Sequence, residues 1–360
     1  MTEDDGLSDA GALMHITRAL TASQERQRSI HRPGLCRIYA TLALPMGRGA
    51  ARSVAFPRRS RLTDPTRSGL RLRSLLYVLA VAFGLCTQAS AAGPLRVLAA
   101  ENFYGDIASQ LAGERAHVTS VLSNPDADPH LFEASVSTAR AVADADLVIY
   151  NGLGYDTWME RLLGASPSPR RRVVEAAAAA RATPGSNPHL WYDTKAVEAV
   201  ARAIAARLAE LDPQGGARYA QRLDRFLKSM GALDAEISRM RARYAGTAVA
   251  ATEPVADDLA AALGLDMRER RFQLAVMNDT ESSARDTAAF EQALRRHRVR
   301  VLLYNRQIAG SSVRRLLDIA RKAHVPIVGV TETEPAGVTY QQWMLGELRA
   351  LDRALAGRQP

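Results

Sequence analysis

From Leu95 onward the apolar residues follow two alternating rhythms. Short apolar runs, such as Leu95-Arg96-Val97-Leu98-Ala99-Ala100, read as buried strands. Between them, apolar residues three and four apart, such as Phe103, Ile107 and Leu111, read as helices. The same rhythm predicts strands over residues 118–122, 146–152 and 172–174. Helices are expected from a Ser135 cap through Ala143, over 155–163, and from an Asp193 or Thr194 cap to Leu211. Asp212-Pro213 stops that helix, and a long one follows from about Gln214 to about Ala245. Its apolar positions are Tyr219, Leu223, Phe226, Met230, Leu233, Ile237, Met240 and Tyr244, an unbroken stripe. A coiled-coil dimer would use the same stripe. The α/β rhythm resumes directly after it, which favours a strut packed along both halves of one chain. Strands are then expected over 248–252, 274–277, 299–304 and 325–330, and helices over 255–263, 284–296, 312–322 and 340–355. The predicted fold class is α/β: two α/β lobes, each with a mainly parallel sheet, joined by one long rigid α-helix.

Upstream of Leu95 the pattern changes. Arg71 and Arg73 precede an apolar run over residues 75–86, and Ala89-Ser90-Ala91 supplies small residues where a signal peptidase cuts. Residues 67–91 therefore read as a cleavable leader. Cleavage is expected after Ala91 or Ala92, with export to the periplasm. Cys86 does not make this a lipid-attachment leader, because Leu85 before it is too large. Residues 1–66 are Arg-rich, proline-punctuated and without sustained periodicity, so they read as a disordered extension or as the product of a start codon placed too early. The expected divisions downstream are a first lobe over 92–212, the linking helix over 213–245 and a second lobe over 246–360. Cys36 and Cys86 both precede the cut, which leaves the mature chain no disulfide and no thiolate metal site.

The formal charge of +9 over 360 residues would suit a nucleic-acid partner, but its placement argues against one. Residues 1–91 hold 13 Lys/Arg against 6 Asp/Glu, whereas residues 92–360 hold 34 against 32. The folded part thus has no basic excess to face a phosphate backbone.

The candidate chemistry lies in two echoing stretches, Asp128-Pro129-His130-Leu131-Phe132-Glu133 and Asn187-Pro188-His189-Leu190-Trp191-Tyr192-Asp193. Each places a histidine directly after a proline, which stiffens the backbone on both sides. Leu131-Phe132 and Leu190-Trp191 are placed to anchor each loop in the core beneath. A single Pro-His turn is ordinarily structural. The repetition points instead to two imidazoles held for a metal ion. The first loop follows a strand and the second follows the alanine run over 176–180 and a Gly/Ser/Pro stretch; both are expected at the end of an α/β sheet where ligands bind. His117, His297 and His324 lie at a strand start and in basic helix-end surroundings, where they read as surface residues.

With these motifs in place, residues 95–357 resemble the cluster A-I solute-binding proteins of ABC importers for zinc, manganese and iron. The two Pro-His motifs, the strand-loop Ala250-Ala251-Thr252-Glu253-Pro254 and the long interlobe helix carry the resemblance. It implies a monomeric, non-enzymatic protein that captures a divalent metal in the interlobe cleft and delivers it to a membrane permease. It implies His130, His189 and Glu253 as ligands, with a fourth, acidic ligand after a late strand. Asn305 stands at the place assigned to that fourth ligand, a departure, since its amide oxygen carries no charge. Asp279, Glu281 or water are the alternatives for that corner, Glu281 also being suited to cap the following helix. Two histidines and one glutamate, without a third histidine, lean away from a purely zinc-like shell, but the neutral Asn305 removes the charge that manganese would want; zinc is expected, with manganese next and ferrous iron admissible. The rival reading is a secreted zinc hydrolase using His130, His189 and Glu253, with an open position for water.

Overall fold

The computed structural model describes residues 93–125, 129–308 and 310–357. The extension and leader expected over residues 1–91, and Asp128 of the first motif, lie outside the described residues. Residues 89–360 form one compact unit, and everything below lies within it.

β1 (Leu95–Glu101) buries all but its first two residues and leads into α1 (Asn102–Ala112). α1 lies close on β2 (Ala116–Leu122) because residue 105 is glycine: a Cβ there would collide with the Ser120 hydroxyl. α2 (Val136–Asp144) opens on a reciprocal capping box, the Ser135 hydroxyl accepting from Thr138 N while the Thr138 hydroxyl accepts from Ser135 N. β3 (Leu147–Tyr150), α3 (Thr157–Ala165), β4 (Arg172–Glu175), α4 (Ala176–Ala180) and α5 (Thr194–Leu211) complete this half. The Asp193 carboxylate caps α5 by accepting from Lys195 N at 2.8 Å. The four strands form a parallel sheet in the order β2-β1-β3-β4.

The long helix α6 (Gly216–Tyr244) buries the predicted stripe, with Leu223 alone at intermediate exposure. It packs on α1 and α5 of the first half and on α11 (Tyr340–Leu355) of the second. The stripe is therefore used within one chain and is not left open for a coiled-coil partner. The second sheet repeats the first, with parallel strands in the order β6-β5-β7-β8, from β5 (Ala248–Ala251), β6 (Asp266–Arg268), β7 (Leu302–Asn305) and β8 (Ile327–Val330). Its remaining helices are α7 (Asp257–Ala262), α8 (Arg270–Met277), α9 (Ala284–Arg295) and α10 (Ser311–Lys322).

One element departs from the sequence pattern. Residues 274–277, expected as a strand, are the end of α8, and the strand beside β5 is the shorter β6. The apolar run misleads because only one face of it is buried: Phe272 is 1% exposed, while Leu274 is 47% exposed. A helical period accounts for that, with Phe272 and Val276 inward. The cap of α9 also differs. Ser283, whose hydroxyl accepts from Asp286 N at 3.1 Å, holds that place instead of Glu281.

Candidate metal centre

Three of the four residues that gather here follow the carboxyl ends of strands, of β2, β5 and β8, where ligands bind in parallel sheets, and the fourth, His189, follows α4. His130 comes from a 3-10 turn, Pro129–Leu131, after β2. Phe132 anchors that turn by packing against Trp158 at 4.6 Å between ring centres. Leu131, expected to anchor with it, instead stands 79% exposed. His189 precedes the turn Leu190–Tyr192, where Leu190 and Trp191 are both buried as the motif predicts.

His189 is fully buried and tightly oriented. Its backbone N–H donates to Asn187 Oδ1 at 3.1 Å, and its Nδ1 lies 2.6 Å from the same oxygen. An amide oxygen only accepts, so Nδ1 carries the proton and Nε2 keeps a lone pair. That Nε2 is buried and has no hydrogen-bond partner. The Asn187 amide also donates to Pro254 O at 2.7 Å, next to Glu253, so one side chain sets a donor from each half of the protein. A further layer holds Pro188: Asp156 accepts from the N–H groups of Asn151 and Gly152, and the Asn151 amide donates to Pro188 O at 2.9 Å.

Glu253 follows β5 and is 3% exposed. Its Oε1 lies 3.8 Å from His130 Nε2 and has no hydrogen-bond partner. The fourth member of the group is Glu332, just past β8 and fully buried. Its Oε2 lies 3.4 Å from His130 Nε2 and 3.5 Å from His189 Nε2, and accepts from the Tyr155 hydroxyl at 2.9 Å. One ligand atom from each of His130, His189, Glu253 and Glu332 falls within 4.8 Å of the other three. Two imidazole nitrogens and two carboxyl groups around one point, with two buried atoms lacking partners, match the donor set of a first-row divalent ion.

Asn305 is close but differently engaged. Its Nδ2 donates to Glu253 Oε2 at 2.9 Å and also to Glu332 Oε1, while its Oδ1 accepts from Gln307 N at 3.0 Å. Turning the amide over would set its oxygen against two carboxylates and its NH2 against an N–H, so this orientation is fixed by its neighbours. Asn305 thus braces two acids and does not offer an oxygen to the centre, where Glu332 stands instead. Asp279 and Glu281 are exposed and line a cavity of about 730 Å³ that His130 also borders. The four-residue group does not include them. His297 and His324 sit at the ends of α9 and α10, away from the cleft, with left-handed backbone.

The electrostatics of the two acids diverge. Burial raises the Glu253 carboxyl, the charge of Glu332 adds to that, and it reaches about 7. Burial pushes Glu332 the same way, but the two imidazoles facing its carboxylate outweigh it and hold it well below the usual carboxylate range. The two acids are thus pushed in opposite directions, Glu253 up and Glu332 down.

Glu332 had a readable signal in the sequence. The run Thr331-Glu332-Thr333-Glu334 directly follows a strong strand, and ligands gather at strand carboxyl ends. What concealed it was the competing acceptor Asn305 at the end of the neighbouring strand β7.

Residues 97–354 match the family described as "ZnuA: Zinc-uptake complex component A periplasmic". The chain is 32% identical over 145 residues to the manganese-binding lipoprotein MntA of Halalkalibacterium halodurans, covering 39% of this chain and 47% of that one. It thus spans about half the length of that relative. It is 24% identical over 263 residues to the zinc-binding protein TroA of Treponema pallidum, covering 69% of this chain and 82% of that one. The solved structure of the periplasmic zinc-binding protein TroA superposes with a TM-score of 0.63 at 20% identity, covering 75% of this chain and 100% of that one. The manganese complex of FpvC from Pseudomonas aeruginosa superposes at 0.61 with 22% identity, covering 73% of this chain and 99% of that one. The match over most of the chain, on two parallel-sheet lobes and one long helix, places this protein in the zinc-uptake complex component A family of metal-binding solute-binding proteins, which are not enzymes.

Proposed function

We propose that the protein captures a divalent transition metal between its two lobes and hands it to an ABC permease. His130, His189, Glu253 and Glu332 are the ligands in this reading. Their convergence is the observation that carries it. Export through the leader over residues 67–91, with release near Ala92, places it in the periplasm, in keeping with the family description. It acts as a monomer, since α6 spends its apolar stripe inside the chain.

The choice of metal shifts with the fourth ligand. Zinc was favoured for a shell of two imidazoles, one carboxylate and a neutral Asn305. Glu332 supplies a second carboxylate, so the ligands carry −2 and match a dication in charge. Oxygen-rich shells suit manganese, and zinc exceeds manganese in raw affinity for almost any such donor set. We therefore infer that manganese and zinc are both bound one per protein, zinc more tightly. Relatives named for manganese and for zinc support that pairing. The hydrolase reading loses its basis, because Glu332 fills the corner that a reacting water would need.

The test is metal analysis of the purified protein, followed by competition against a chromophoric chelator. One zinc or manganese per chain, bound roughly 150-fold or more weakly in His130→Ala and in Glu332→Gln, is the expected outcome. Affinity unchanged by both substitutions overturns the reading.

A further inference from the structure

Glu332 belongs by connectivity to the second sheet, but the segment that bears it is fastened across the cleft to the first. The Tyr192 hydroxyl donates to Thr331 O at 2.9 Å, and the Tyr155 hydroxyl to Glu332 itself. The Asp106 carboxylate accepts from Tyr340 N at 2.9 Å, and the Tyr340 hydroxyl donates to Trp191 O at 2.7 Å. On the second sheet's own side, Gln307 Oε1 accepts from Glu332 N, so the segment is gripped from both directions.

The most selective of these fastenings is Asn102, the first residue of α1. Its Nδ2 donates to Glu334 O at 2.7 Å, and its Oδ1 accepts from Glu334 N at 2.9 Å. A carboxamide carries a donor and an acceptor side by side, as a neighbouring strand would, and so matches both backbone groups of one residue. Aspartate, the same size, has no donor and would set an oxygen against the Glu334 carbonyl. Alanine makes neither bond. The side chain of residue 102 thus closes the two halves with a two-bond clamp, two residues from Glu332.

We propose that Asn102 is a positioning residue for metal retention: it holds the segment after β8 against the first lobe, keeps Glu332 within reach of His130 and His189, and so sets how long the ion stays bound. This rests on Glu332 being a ligand. The ion leaves when the clamp parts, because the cleft cannot widen along this edge while both bonds are made.

The measurement is the rate of zinc loss from the purified protein into excess chelator. Two hydrogen bonds of ordinary strength correspond to roughly a thirtyfold faster loss in Asn102→Ala, and at least as much in Asn102→Asp. The capture rate should change little. A double-mutant cycle with Glu332→Gln separates positioning from general loosening. If Asn102 acts through Glu332, Asn102→Ala adds little to Glu332→Gln. Rate effects that multiply fully in the double variant, or an Asn102→Ala rate within twofold of the unaltered protein, overturn the proposal. Should Asn102→Ala fail to fold, Tyr192→Phe removes the neighbouring fastening at Thr331 and keeps the ring. It should speed loss severalfold under the same cycle, and an unchanged rate counts against the clamp. If Glu332→Gln alone leaves zinc binding unaltered, the ligand assignment itself is what has failed.

Discussion

Glu332→Gln is the sharpest probe of the centre. The substitution keeps the shape of the side chain and removes one charge. Glu332 is fully buried, and its Oε2 lies 3.4 Å and 3.5 Å from the two imidazole Nε2 atoms, so solvent screens little of that charge. A carboxylate about 2 Å from a dication gains on the order of 15 kcal/mol in gross Coulomb energy at an effective dielectric near 20. Most of that is cancelled by the lost hydration of the ion, and a glutamine oxygen can still ligate. Removing one partner of a buried charge pair costs about 3–5 kcal/mol in practice, or roughly 150-fold to 4,000-fold in affinity. The lower end is the better expectation here. In the metal-free protein Glu253 is held up partly by the charge of Glu332, so the substitution also frees Glu253 to ionise.

The assay is a competition titration with zinc and with manganese. Asn305→Ala, run alongside, should cost less, about tenfold to a hundredfold, as is typical when a residue that orients ligands is lost. Asn305→Asp should also weaken binding, because it replaces an NH2 that faces two carboxylates with a third carboxylate. If instead Glu332→Gln changes affinity less than threefold while Asn305→Asp tightens it tenfold, the shell is His130, His189, Glu253 and Asn305, and the brace assigned to Asn305 is mistaken.

Three further outcomes follow from the same geometry. Because the Glu253 carboxyl sits at about 7, metal binding near pH 6 should release close to one proton from it and fewer at pH 8, with affinity rising between; calorimetry in buffers of different ionisation enthalpy reads this, and a pH-independent affinity contradicts it. Glu253 and Glu347 at about 7, and Asp156 and Asp258 at about 6, all lie above their unfolded values near 4, so the folded metal-free chain holds extra protons between about pH 4 and 7 and loses stability as pH rises through that window. Denaturant melts of metal-free protein should show more stability at pH 5 than at pH 8, and the reverse order refutes the assignment. Asn187→Ala removes both the His189 anchor and the tie to Pro254, and should lower zinc affinity about tenfold to a hundredfold without a change in metal stoichiometry; an unchanged affinity means that the ring is held by its packing alone.

The parts of this protein that were legible in its sequence are those governed by local rules. The stripe on α6 and the caps at Ser135 and Asp193 follow from periodicity and side-chain chemistry within a few residues, and the structure shows each of them. The Pro-His loops could be found because proline stiffens its own neighbourhood. Two points that were not legible share another cause. Residues 274–277 look strand-like until the burial of Phe272 and the exposure of Leu274 are known, and burial is a tertiary property. Asn305 and Glu332 stand at the ends of adjacent strands, β7 and β8. Both are buried and both touch the centre, so strand position alone does not separate brace from ligand. The distinction appears only when hydrogen bonds show which atom of Asn305 faces inward.

The seam between the lobes explains why so few residues need to move. α6 lies across both halves, and its buried face belongs to one continuous apolar cluster running from Phe103 and Trp191 through Met230 to Leu348 and Leu351. A dry, close-packed seam of that kind resists a wide hinge, because opening it would expose apolar surface at about 25 cal/mol per Å². The same interface is also crossed by hydrogen bonds from Asn102, Asp106, Asn187 and Tyr192. Hydrogen bonds there can be exchanged for water at a net cost of about 1 kcal/mol each. Glu253 and Glu332, the two candidate donors of the second lobe, lie beside these bonds. Small displacements there suffice to change the shell, because ligand bonds to a first-row ion fail within a few tenths of an ångström.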